Sequence, residues 1–383
     1  MAENKKLVII MFGGIAPEHE VSVISGLQIV EKIDRVKYDA RVIFVTKKGE
    51  FEYLGAMTSR KEFLTKKREA VTFGRDKNGG YIQMTGIFGQ KLYPYAAFLA
   101  FHGGIGENGS IQGMLETFSI PFTSPSSEGA VISMNKQLTK EVMNAIGIAT
   151  VPGISVFSSD IKGKDQFFAK KISKELSLPV IVKPAHLGSS IGITVARTEI
   201  DLQKALLSAA HMDSEIVVEK YMTKYIEYNC AVRKVNGVIE TSEVERPITK
   251  DEILSFADKY QRSGGKKTGG RGMASLEREL PAKISNTLRD SLQEKARRVF
   301  AAIRGKGMVR IDFMATEQGD LYLTEVNPIP GSLAFYLWEA SGITFKQQIT
   351  DMLEQAVLDE QERRSYELDY STDIVEKFVK AGT

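Results

Sequence analysis

Cysteine is almost missing from this 383-residue chain. Cys230 is the only one, which excludes an internal disulfide and any metal cluster built on thiolates. Net charge is almost missing too. The 51 basic and 48 acidic residues leave a formal +3, so the total carries no electrostatic footprint for nucleic acid or a membrane surface. Long apolar runs are lacking as well. Leu7-Val-Ile-Ile-Met-Phe12 follows lysines as a signal peptide would, but it is short and stops at Gly13-Gly14, and no segment approaches membrane-spanning length. A reducing cytoplasm is the compartment expected, with no membrane insertion. The length exceeds one ordinary core and predicts two or three domains.

What is present reads first as a parallel sheet. Residues 7–12 form an apolar strand, Gly13-Gly14 a tight turn, and Glu18 to about Lys32 an amphipathic helix with Pro17 suited to its first turn. Arg41-Val-Ile-Phe-Val45 is a second strand, giving β-α-β. Ala96-Ala-Phe-Leu-Ala-Phe101 is a third, ending in the glycine-rich loop His102–Gly109, and loops at the carboxyl ends of parallel strands are where such sheets bind ligands. The first glycine turn lacks the full dinucleotide fingerprint, which leaves a nicotinamide-binding domain as the weaker alternative. Ser133 to Ile146 reads as one helix stopped by Gly147, and Pro152 marks a change of domain. A second α/β unit follows: strand Val180–Lys183, loop Pro184–Gly192, strand Ile193–Ala196, a helix from Glu199 to His211, and strand Glu215–Glu219. Asn236-Gly237 then joins two strands as a hairpin. The segment from Gln261 to Gly272 mixes glycines with basic residues and reads either as a mobile lid over phosphates or as a disordered linker.

The chemistry is concentrated in Met308 to Asn327, which reads as a β-hairpin with Gln318-Gly319 as its turn. With that turn, Asp312 lies across from Glu325 and Arg310 across from Asn327, all on one face. Opposed carboxylates roughly 5 Å apart repel. A divalent cation with oxygen ligands relieves the repulsion, with Asn327 a further oxygen ligand and Arg310 a fixed cation for phosphoryl or carboxylate oxygens. The bland alternative is a solvated sheet face. Gly188-Ser-Ser-Ile-Gly192 is a second piece of chemistry, because glycines let the backbone approach phosphate while Lys183 supplies charge from the strand end. A Walker A lysine follows its glycines, and Lys183 precedes them.

These residues resemble the ATP-grasp superfamily, and within it the D-alanine-D-alanine ligase family over nearly the whole chain. The resemblance is carried by Phe12–Ser22, His102-Gly with Gly106-Glu-Asn-Gly-Ser-Ile-Gln-Gly113, Lys183-Pro with Gly188–Gly192, Asp258-Lys-Tyr260, Arg310-Ile-Asp312, and Glu325-Val-Asn327 with Pro330-Gly331. It implies an α/β (α+β) three-domain ATP-grasp architecture with an N-terminal Rossmann-like parallel sheet, drawn as residues 1–125, 126–224 and 225–383. ATP would lie between the second and third domains, and the protein would often be a homodimer. It further implies that Asp312, Glu325 and Asn327 hold two Mg²⁺ ions, with Mn²⁺ an alternative, and that Arg310 steadies the transferred phosphoryl group. Lys136, Lys183 and Lys259 would contact ATP phosphates, with amides near Ser189 and Ser190 closing the cradle. Glu219, Lys220, Tyr221 and Met222 would form the adenine connection, and Glu227 the ribose contact. Glu18 would hold the ammonium of the first amino-acid substrate, linked through Ser189 to Tyr260. His102, Gly331 and Ser332 are the remaining substrate candidates. One departure stands out. After Pro330-Gly331 the family usually carries a longer segment that binds the second substrate's carboxylate, whereas Ser332–Leu337 reaches the next shared stretch several residues early. The implied activity is an ATP-dependent carboxylate-amine ligase making a dipeptide through an acyl phosphate, for peptidoglycan precursors. A sibling ligase with a different acceptor and a non-catalytic nucleotide-binding regulator are the alternatives.

Overall fold

The computed structural model describes residues 5–86, 89–248, 277–366 and 371–381. Lys259, Tyr260 and the segment read as a lid lie outside them. Three sheets of seven, four and five strands organise the described residues.

The first sheet starts with β1 (Lys6–Gly13), where Val8 to Phe12 are wholly buried. Helix α1 (His19–Lys32) lies on it, and Gly26 allows the contact: a Cβ there would stand 2.1 Å from the Phe12 ring. β2 (Tyr38–Val45) pairs parallel with β1. Beside these expected parallel strands the sheet gains an antiparallel edge. β3 (Phe51–Ala56), β4 (Glu69–Asp76), β5 (Gly79–Met84) and β6 (Lys91–Leu92) extend the edge antiparallel, before β7 (Ala96–Leu99) returns to pair parallel with β1. The reason is local: Thr46 N–H donates to Glu50 O at 2.9 Å, and a turn that short can only reverse the strand.

After α2 (Ser110–Phe118), the single helix expected from Ser133 to Ile146 is two, α3 (Ser127–Met134) and α4 (Lys136–Ala145). Asn135 adopts φ −84°, ψ 109° and caps α4 by accepting from Leu138 N–H, so a capping side chain divides an otherwise continuous pattern. The second sheet, in order β10-β9-β11-β8, is built from β8 (Gly153–Phe157), β9 (Val180–Pro184), β10 (Thr194–Ala196) and β11 (Glu215–Lys220). Helices α5 (Ser158–Ile161), α6 (Asp165–Leu176) and α7 (Glu199–Ala210) accompany it, α7 starting at a Thr198–Asp201 capping box.

The third sheet holds β12 (Tyr225–Val235), β13 (Val238–Pro247), β14 (Arg278–Glu279), β15 (Met308–Thr316) and β16 (Leu321–Asn327), with α8 (Asn286–Ala302) on one face. Asn236 and Gly237 both have positive φ, as the two-residue hairpin requires. The chain then turns back. α9 (Phe335–Ala340) and α10 (Phe345–Arg364) contribute Leu337, Trp338 and Ile349 to the same apolar cluster as the first sheet, and Glu354 of α10 accepts from Tyr38 of β2 at 2.6 Å. A last helix, α11 (Ile374–Ala381), has no buried residue. No helix among the described residues is long and apolar enough to cross a membrane.

Candidate active site

The acidic hairpin forms with the register read from sequence where it matters. Arg310 pairs with Asn327 and Asp312 with Glu325. Beyond them the register slips at a bulge between Asp312 and Phe313, so that Phe313 faces Leu323, and the connection is the longer loop 317–320 with Gly319 at φ +90°. The extra residue is Thr324, whose hydroxyl donates to Asp312 O at 3.0 Å. Arg310, only 7% exposed, grips the Asp312 carboxylate through Nε and Nη2, and Asn327 Nδ2 donates to Asp312 Oδ2 at 3.0 Å. Burial disfavours the guanidinium's charge, yet Asp312 holds the Arg310 pKa above its ordinary value. No hydrogen bond from a described residue reaches Glu325.

Opposite this hairpin the second sheet and α4 present cations. Glu219 of β11 is buried between two of them, Lys140 Nζ at 2.6 Å from Oε1 and Lys183 Nζ against Oε2. The two ammonium groups hold Glu219 below the usual carboxylate range against the opposing effect of burial. Lys136 reaches the loop after β9 by donating to Leu187 O, and burial pushes its pKa down. A cavity of about 40 Å³ lies between these groups and the hairpin, lined among others by Glu107, Lys136, Lys140, Gly188, Glu219, Glu325 and Asn327. The carboxylates of Glu325 and Glu219 both favour the charged form of Lys136.

The loop Pro184–Gly192 meets the start of α1 here. Ser189 and Ser190 both sit at positive φ, 54° and 60°, and Ser189 hydrogen-bonds Glu18, which is 3% exposed. Burial raises the Glu18 pKa, against the opposing hydrogen bonds and the charge of Lys136. Two glycines leave room for its carboxylate: a Cβ at Gly103 would stand 2.4 Å from Oε2, and one at Gly188 2.9 Å from Oε1. His102 uses both ring nitrogens on protein groups, Nδ1 with Ile329 O at 2.9 Å and Nε2 with Ser25 Oγ at 2.8 Å. Its burial lowers its pKa to about 4, so the ring is neutral near pH 7. Glu107 accepts from Gly103 N–H and, at 3.0 Å, from Ile329 N–H. Gly331 is half-buried and Ser332 buried, directly after this segment.

Tyr221, Met222 and Glu227 line a larger cavity of about 360 Å³ with Arg246 and Ile248, at the edge where β11 leads into β12. Lys220, the last residue of β11, is exposed just before it. The structure thus brings Lys136, Lys183, Glu219, Glu325 and Asn327 together, joins Glu18 to Ser189, and separates the Tyr221–Glu227 cavity from that cluster.

Several of these residues escaped the sequence reading. Lys140 stands four residues after Lys136 on α4, and that helical spacing was the available signal. Glu107 sat inside a matched motif without a role. Arg246 and Ile248 had no signal, because only strand pairing carries β13 to the cavity. His186 belongs here too. Asp213 accepts from its backbone N–H at 2.6 Å and pairs with its Nδ1 at 2.8 Å, while Asn135 Nδ2 approaches Nε2 at 3.0 Å, tying the loop to the start of α4.

Comparison with known proteins gives the family and agrees with the fold. The family model described as D-ala D-ala ligase N-terminus matches residues 7–125, and D-ala D-ala ligase C-terminus matches residues 142–354. The chain is 33% identical over 349 residues to a D-alanine–D-alanine ligase of Thermosipho melanesiensis, covering 90% of this chain and 91% of that one. It is 30% identical over 360 residues to one from Lactococcus lactis subsp. lactis, covering 92% and 96%. The fold matches the VanG D-Ala:D-Ser ligase of Enterococcus faecalis with a TM-score of 0.77 at 23% identity, over 92% of this chain and 100% of that one. It matches the D-alanine-D-alanine ligase of Coxiella burnetii with a TM-score of 0.76 at 23% identity, over 99% of each. The chain belongs to the D-alanine–D-alanine ligase family of ATP-dependent, ATP-grasp ligases.

Proposed function

We propose that this protein joins D-alanine to a second amino acid, D-alanine or a close analogue, at the expense of ATP, supplying a peptidoglycan precursor. The observation that carries the reading is the pairing of Asp312 with Glu325 on one sheet, with Glu325 and Asn327 sharing a cavity with Lys136 and Lys140 of α4 and with Glu219, with which Lys183 also pairs. A buried surface with acids on one wall and ammonium groups on the other suits a triphosphate and its counter-ions.

The donor set fits Mg²⁺. Glu325 has no hydrogen-bond donor among the described residues and faces Asp312, so oxygen lone pairs are available on hard ligands. Asp312, Glu325 and Asn327 would hold the ions, two in number, with Mn²⁺ able to replace them. The metal would screen phosphate oxygens and polarise the γ-phosphoryl group. The protein's own groups position and stabilise. Glu18, with Ser189, holds the donor's ammonium so that its carboxylate faces the γ-phosphorus. The carboxylate oxygen attacks, ADP leaves, and the acyl phosphate remains. Lys136 and Lys183 hold phosphate oxygens, with the amides at Ser189 and Ser190 and Lys259 completing the cradle. Arg310 faces the developing charge. The acceptor amine then adds to the acyl carbon and inorganic phosphate departs. Enclosure excludes water that would hydrolyse the intermediate. Tyr260 would complete the Glu18–Ser189 link, and Glu219 to Met222 with Glu227 would hold adenosine.

A second reading keeps the same ATP chemistry with another acceptor. The short segment after Gly331 favours it, because the turn Ser332–Ala334, at positive φ throughout, stands where an acceptor carboxylate would be held. We further propose three domains with boundaries near 125 and 224, a cytoplasmic location, and a homodimer. The deciding experiment measures ADP release with Mg²⁺ over D- and L-amino acids and weighs the products. D-alanine-dependent turnover with a dipeptide product is expected. Nucleotide binding without any amino-acid-dependent turnover would overturn the reading in favour of a regulator.

A further inference from the structure

We propose that Ser25 is a positioning residue that sets acceptor selectivity by holding the turn after Gly331; this rests on the ligase reading above. Ser332, Leu333 and Ala334 have φ of 49°, 54° and 45°, three successive non-glycine residues in the left-handed region. There the side chain crowds the following carbonyl, and such a run persists only where its surroundings over-determine it.

The surroundings are specific. Leu333 N–H donates to Pro330 O at 2.8 Å, and Gln348, wholly buried on α10, donates Nε2 to Leu333 O at 2.9 Å. Ser332 N–H donates to Ser25 Oγ at 3.3 Å. The rest of the chain of contacts has one consistent direction. Ile329 O can only accept, so His102 Nδ1 carries the proton, and the neutral ring's Nε2 accepts from the Ser25 hydroxyl. The lone pairs of Ser25 Oγ are then free to face Ser332 N–H. Glu107 takes Ile329 N–H from the other side. First-domain side chains thus fix both ends of the segment Ile329–Ser332, and Pro330 stiffens its middle.

The helix that carries Ser25 begins beside Glu18, the residue joined to Ser189. Donor and acceptor ends of the reaction therefore hang from one rigid element, with the acceptor end attached through Ser25. Removing the hydroxyl strands the buried Ser332 N–H and lets the left-handed turn relax, moving Gly331 while leaving Glu18, Lys136 and the acidic hairpin in place.

The test compares the full-length protein with Ser25→Ala and Ala334→Gly. It reads KM for ATP, for D-alanine as donor, and for glycine, D-alanine, D-serine and L-alanine as acceptors, together with the thermal midpoint. Ser25→Ala is expected to raise the acceptor KM about three- to tenfold, the loss of one hydrogen bond, while donor and ATP KM stay within about twofold. Ala334→Gly relieves the left-handed strain, so its thermal midpoint should rise while its acceptor KM also rises and its acceptor range widens. A scaffold role alone would not move stability and acceptor binding in opposite directions. Donor and acceptor KM rising together, or folded variants with an unchanged acceptor KM, would overturn the inference and leave the ligase reading intact. A wild-type protein making no product from any pair would strike the ligase reading itself, and this inference with it.

Discussion

Arg310 holds Asp312 by two parallel hydrogen bonds, Nε to Oδ1 and Nη2 to Oδ2, each 2.8 Å long. The guanidinium is almost wholly buried, so Asp312 is its counter-ion as well as a proposed metal ligand. Glu325, directly opposite, has no such second duty.

The two acids should therefore respond differently to neutralisation. Asp312→Asn leaves a buried cation without its partner and should cost on the order of 3 kcal/mol of stability. Glu325→Gln removes repulsion and should leave the thermal midpoint close to wild type. Both should lower Mg²⁺-dependent ADP release by about a hundredfold or more. Calorimetry and the ADP assay on each variant check this. Equal stability losses would mean that Asp312 does not carry the Arg310 charge.

The buried Lys140–Glu219–Lys183 group gives a second test. Glu219→Gln removes the carboxylate that lies between two buried cations and should destabilise the protein by about 3 kcal/mol. Adding Lys140→Met to Glu219→Gln should recover part of that loss, because one of the two unmatched cations is then gone. Denaturant titration of the two single variants and the double variant measures the coupling, and simple additivity would count against it.

His186 supplies a pH dependence. Its hydrogen bond to Asp213 raises its pKa above the ordinary 6.5, against the opposing effect of partial burial. The folded state thus binds the proton more tightly than the unfolded chain does. This contribution to stability is fully present below pH 6.5 and is lost as pH rises through the raised folded value. Thermal midpoints of wild type and His186→Asn across pH 5.5 to 8.5, on the order of that window, should converge toward the alkaline end. A difference that grows with pH would reverse the assignment.

Glu227 lines the cavity beside Tyr221 and Met222. If adenosine lies there, Glu227→Ala should raise the KM for ATP about tenfold, the loss of one charged hydrogen bond, with the amino-acid KM unchanged. Steady-state kinetics with ATP varied at saturating amino acid decides it.

What the sequence determined by itself was local. The period-2 pattern around a glycine turn placed Asp312 and Glu325 on adjacent antiparallel strands, and the bulge between Asp312 and Phe313 completes their direct pairing. The apolar run at β1, the α1 helix and the Asn236-Gly237 turn were legible for the same reason: each is specified by neighbours within a few residues. Tertiary structure decided the rest. The bulge at Thr324 and the break at Asn135 depend on side chains finding backbone partners, which periodicity does not report. Lys140 acquired meaning only when folding buried it against Glu219, 79 residues away. The contact of Ser25 with Ser332 spans 307 residues, and its left-handed turn exists because α1, α10 and the His102 loop converge on it. Residues that carry chemistry in linear motifs are visible in order; the groups that hold them in place become visible only once distant elements pack and the cost of leaving a buried polar group unpaired selects the partners.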